Sequence, residues 1–233
     1  MAMSWLAGAL WSLATIALYG LAKRLHRRFQ AWWSSPLLTA PATLLLAAAS
    51  LHVGYRAYIG GTHWLVALLG PAVVAFAVPI HKRRALILRH GPLLLAGVIV
   101  GSLTSFASSL LLARWLGLDG TLVRSLLPRS MSTPFALLVS DSLGGVPALT
   151  AVFVLLTGVL GAALGDGVLG VLPLRTGLAR GALFGMGAHG AGTARALQID
   201  PEMGAIAGVV MVLVGLVNLA VAPFLGPLLR HLL

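Results

Sequence analysis

The chain has no cysteine, few charges and hardly any acids. Without cysteine, neither a disulfide framework nor a thiolate metal site can form, and the redox compartment stays open. Charged residues make up 9% of the 233, where a soluble domain carries about a quarter, so polar groups cannot cover the surface. With 59% hydrophobic residues and a mean hydropathy of +0.98, the composition is that of an integral membrane protein. Five acids against 16 Lys and Arg leave a formal charge of +11. The basic residues sit in short clusters between apolar runs, which fits topology signals and anionic headgroups and argues against a nucleic-acid partner. Neither a G-x-S-x-G elbow nor an H-E-x-x-H pair occurs, so no catalytic residue, cofactor or metal site is expected.

A crossing helix needs about 20 apolar residues. Runs at 5–21, 35–55, 62–80, 91–117, 146–165 and 203–229 meet or approach that length. The basic cluster 23–28 follows the first run instead of preceding it, the reverse of a cleavable signal peptide. A retained first helix with its amino end outside and its basic end in the cytoplasm is the expectation. Trp33, Trp64 and Trp115 suit membrane interfaces, and Asp141 and Asp166 suit turns there.

Three stretches do not read as plain spans. Gly70-Pro71 interrupts the third run; Pro128 to Pro134 encloses Arg129, Ser130, Ser132 and Thr133; and residues 185–192 place four glycines around His189. Each helix-interior glycine costs about 1 kcal/mol relative to alanine, so these glycines serve something other than helix propensity. Two readings stand: a small-residue packing surface, or broken helices whose free backbone groups line a cavity. Broken ends aim N–H groups and partial positive charge at an anion. On the second reading Ser130, Ser132, Thr133, Pro134, Gly187, His189, Gly190, Gly192, Thr193 and Pro71 are candidate substrate-binding residues. Arg129 and Arg195 are candidates for attracting the anion, with headgroup snorkelling as the alternative. A weak internal echo links the proline-interrupted pieces near 70–84 and 130–145. The expected fold is an all-α polytopic bundle with broken or re-entrant helices and an inverted repeat, elevator-transporter-like. It forms one membrane domain of scaffold helices 1–55, a first broken-helix repeat 56–118 and a second, carrying the binding motifs, 119–233.

The segments "LLGPAVVAFAVPI" (68–80), "PRSMSTPFA" (128–136), "LTAVFVLLTGVLGA" (149–162) and "AHGAGTARAL" (188–197), in this order and spacing, resemble the LrgB/CidB family of bacterial inner-membrane proteins. Two departures stand out. The family usually has "SSHA" or "ASHA" where this chain reads Gly187-Ala188-His189-Gly190, and an acid where Leu137 and Leu138 lie. The resemblance implies two roles. One is a holin/antiholin-like regulator of murein hydrolase activity and lysis, beside a small LrgA/CidA-like partner. The other is a carrier of small monocarboxylates such as pyruvate, glycolate or glycerate; the interrupted helices suit alternating access, and the sequence does not name the coupling ion, proton or sodium. Because a lysis pore has no use for interrupted helices, the residues favour the carrier. A homodimer in contact with membrane lipids, in the bacterial inner membrane, is the expected assembly.

Overall fold

A computed structural model describes residues 2–29 and 31–232. It divides into two compact units, Met1–Ala72 and Val73–Leu233.

In the first unit α1 (Ala2–Phe29) packs against α2 (Pro36–Ser50) and α3 (Tyr55–Ala67). Glycines let α1 and α3 approach closely: a Cβ added at Gly8 would lie 2.8 Å from the Gly61 Cα. The Ser12 hydroxyl donates to the Gly61 carbonyl (2.9 Å) and accepts the Trp64 indole N–H (2.9 Å), which fixes the pair in register. The span expected at 35–55 is shorter than its apolar composition implies. Helix α2 stops at Ser50, and His52 turns the chain with φ 54.

Prolines cut the next run. Pro71 has no N–H for the Ala67 carbonyl, and Pro79 none for that of Ala75; turns fall at Leu68 and Phe76, separating α3, α4 (Leu69–Ala75) and α5 (Ala77–Lys82). The same effect shows in α6 (Arg84–Trp115), where His90 leaves helical geometry two residues before Pro92.

The second unit continues with α7 (Gly120–Leu126), capped by the Asp119 carboxylate on the Leu122 N–H (2.8 Å), and a 3₁₀ turn over Leu127–Ser130. Then come α8 (Thr133–Ser142), α9 (Pro147–Val171), α10 (Gly177–Ile199) and α11 (Pro201–Leu232). Met131, Phe135 and Val139 are buried with Val210 and Val214 of α11 in the main core. Asn218 joins α11 to α6 by donating to the Ser102 hydroxyl (2.8 Å). Asp166 lies inside α9, not at a turn, because that helix runs on to Val171.

Among the described residues there is no strand, and four helical stretches are long and apolar enough to cross a membrane: Tyr55–Lys82, Arg84–Trp115, Pro147–Val171 and Pro201–Leu225. Large apolar side chains such as Leu111, Leu160 and Val171 face outward. The chain is an all-α membrane protein.

Candidate functional site

Two segments of the second unit double back as helical hairpins. In the first, α7 and its 3₁₀ turn lead to Met131 (φ −102, ψ 161) and Ser132 (φ −66, ψ 146), both extended, after which α8 returns. Pro134 suits the first turn of α8, where its missing N–H has no helical partner to lose. The fold-back is fixed by one side chain. Thr150, fully buried on α9, donates its hydroxyl to the Ser125 carbonyl (2.8 Å) and lies 2.6 Å from the Ser140 hydroxyl. Residues on either arm of the break therefore meet at one point.

The second hairpin is α10. His189 has φ 38 and ψ −119, the only non-helical residue within it. Here the chain reverses so sharply that Gly192 packs directly on the Phe184 carbonyl. A straight helix would hold residues eight apart about 12 Å from one another. The left-handed φ falls on the histidine and not on a neighbouring glycine, at a cost of about 1–2 kcal/mol. The glycines divide between both roles expected of them. Gly185 packs on Ala207 of α11 and Gly192 on Phe184 of the outgoing arm, whereas Gly187 and Gly190 face open space.

The two tips touch. His189 Nε2 lies 3.2 Å from the Arg129 carbonyl; since a carbonyl only accepts, this nitrogen carries the proton. The imidazole rests on Gly158 of α9, where a Cβ would come within 3.0 Å of Cε1. The Arg129 Nε donates to Ser109 of α6 (2.9 Å). No carboxylate among the described residues pairs with this guanidinium.

Beside the tips lies a cleft of about 290 Å³. Leu126 and Arg129 line it from the first hairpin, Gly187 from the second, and Phe153, Thr157 and Gly161 from α9. Thr157 is ten residues from the start of α9. At 1.5 Å per residue that is about 15 Å along the helix. The geometry offers one cation, one hydroxyl and backbone uncovered by side chains, against apolar walls.

The residues expected from sequence distribute unevenly around this cleft. Arg129 and Gly187 line it. His189 supports it from behind, and Thr193 closes the first turn of the returning arm by donating to the His189 carbonyl (2.9 Å). Ser130 and Ser132 are buried at the first tip, the Ser132 hydroxyl without a partner among the described residues. Thr133 and Pro134 open α8, and Gly190 and Gly192 follow the second tip. Pro71 belongs to the other unit. Arg195 is paired with Asp166, its Nε 3.0 Å from Oδ2, and donates to Gln198 (3.1 Å). Sequence reasoning missed Ser109, Thr150 and Thr157. Thr157 left one signal, a hydroxyl in the apolar middle of a span whose other threonine, Thr150, stands in the first turn.

Residues 15–228 match the family described as LrgB-like. The uncharacterized protein YwbG of Bacillus subtilis (strain 168) is 40% identical over 211 residues, 91% of this chain and 94% of that protein. YxaC of the same organism is 37% identical over 216 residues, 93% and 92% of the two chains. The holin-like protein CidB of Staphylococcus aureus (strain N315) is 30% identical over 213 residues, 91% and 93%. No solved structure matches.

Proposed function

This chain belongs to the LrgB-like family, and from that premise we propose that it is a holin-like protein of the bacterial inner membrane. It acts on the barrier it spans and, through that barrier, on murein hydrolase activity and lysis. The observation that carries this reading is the likeness along nine-tenths of the chain to proteins named holin-like CidB. A small LrgA/CidA-like membrane protein is the partner this role calls for.

One structural observation favours a second reading. Two hairpin tips meet beside a small cleft holding a guanidinium that no acid among the described residues neutralises. A charge at membrane depth is costly and marks a solute path or a functional pair. A monocarboxylate such as pyruvate or glycolate supplies the missing negative charge, and alternating access would carry it across. Broken helix ends that meet beside a cleft are the kind of irregular backbone that membranes accept only around a cavity.

Proteoliposomes separate the two. The holin-like reading expects release of a trapped neutral dye, with no saturation by pyruvate. The carrier reading expects saturable uptake of labelled pyruvate or glycolate and no dye release. Vesicles tight to both, with purified folded protein, would sink both.

A further inference from the structure

Threonines inside the helices of this chain usually return their hydroxyls to the carbonyl one turn back. Thr15, Thr43, Thr62, Thr104 and Thr193 all do so, to the residue four earlier. In an apolar surrounding this is the cheapest way to satisfy a hydroxyl. Thr157 departs from the pattern: among the described residues its hydroxyl has no hydrogen-bond partner, and it lines the cleft that Arg129 lines from the opposing hairpin. An unused donor and a cation that no acid among the described residues neutralises thus line one small cleft.

We propose that Thr157 is the specificity-determining residue of the Arg129 cleft. The guanidinium takes the carboxylate of a small anion, and the Thr157 hydroxyl takes an oxygen on the neighbouring carbon. Phe153 supplies an apolar wall for the rest of the molecule. About 290 Å³ lies at the lower end of ligand-pocket volumes, so the ligand has few heavy atoms. Ser109 occupies the Arg129 Nε–H (2.9 Å) and leaves the outer nitrogens of the guanidinium for the anion. A carboxylate with a 2-oxo or 2-hydroxy group can use both contacts, whereas acetate uses one. Backbone at Gly187, where a Cβ would meet nothing within 4 Å, lets the anion approach without meeting a side chain. This assignment rests on the carrier reading, from which it takes the ligand, but its test is independent of transport.

Binding of labelled pyruvate, glycolate and acetate to the full chain in detergent is measured by equilibrium dialysis. Wild type is expected to hold pyruvate and glycolate more tightly than acetate. Thr157→Val removes a hydroxyl with no protein partner, so the fold is kept; it should weaken pyruvate by about tenfold, the worth of one hydrogen bond, and leave acetate unchanged. Thr157→Ser should restore the preference. Arg129→Gln should weaken all three, and Arg129→Lys should retain part of the affinity if the contact is charge alone. An unchanged pyruvate preference in Thr157→Val overturns the assignment, even where uptake is saturable and the carrier reading stands. Thr157-dependent binding without uptake leaves the assignment standing and removes the carrier. No binding of any of the three acids by wild type removes both.

Discussion

A methyl group added at Gly161 tests whether α9 and the second hairpin are held together by glycine contact. A Cβ there would sit 2.6 Å from the Gly187 carbonyl oxygen and 2.8 Å from the Ala188 Cβ. Ordinary contact begins at 3.4 Å, so the helices must part by about 0.8 Å at this point. Neither neighbour is the end of a flexible side chain, so no rotamer change relieves the clash. Overpacking of this kind costs about 1–3 kcal/mol; the better helix propensity of alanine returns about 1 kcal/mol. Gly161→Ala is therefore expected to destabilise by up to about 2 kcal/mol. Six residues along the same helix, a Cβ at Gly167 would meet nothing within 4 Å. There only propensity acts, and Gly167→Ala should stabilise by about 0.5–1 kcal/mol. At about 2–4 °C per kcal/mol for a chain of this size, the two variants should melt on opposite sides of wild type. Tryptophan fluorescence during heating in detergent reads both. Shifts of the same sign, or Gly161→Ala melting at or above wild type, would refute the reasoning.

Thr150→Val leaves the Ser125 carbonyl and the Ser140 hydroxyl buried without their shared partner. A loss of about 1–3 kcal/mol is expected in the same melting measurement; no change would mean that this hydroxyl does not fix the first hairpin. Arg195→Gln breaks an ion pair whose side chains are 36% and 43% exposed. It should cost under about 1 kcal/mol and leave pyruvate binding intact. Lost binding in that variant would shift the anion from Arg129 to Arg195.

How the broken stretches work was only half legible. Prolines at 71, 79 and 134 and the glycine cluster around His189 mark where helices cannot run straight, because a missing N–H or a missing Cβ is a local property. What a break does next is not local. The sequence around 189 admits both a packing surface and open backbone, with open backbone favoured, and the fold uses it as both, two glycines on each. Asn218 is a polar group in the last apolar span, and its partner, Ser102, lies 116 residues away in sequence.

Composition alone determined that this chain lives in a membrane, since too few charges exist to cover it in water. The order of apolar runs and prolines determined a helical bundle with interruptions, because helix continuity depends on neighbours within one turn. Only the tertiary structure decided that Arg195 meets Asp166 while Arg129 meets no acid among the described residues, and that Thr157 shares a cleft with Arg129. Pairing between residues tens of positions apart depends on how two hairpins fold back and touch. No local pattern encodes that.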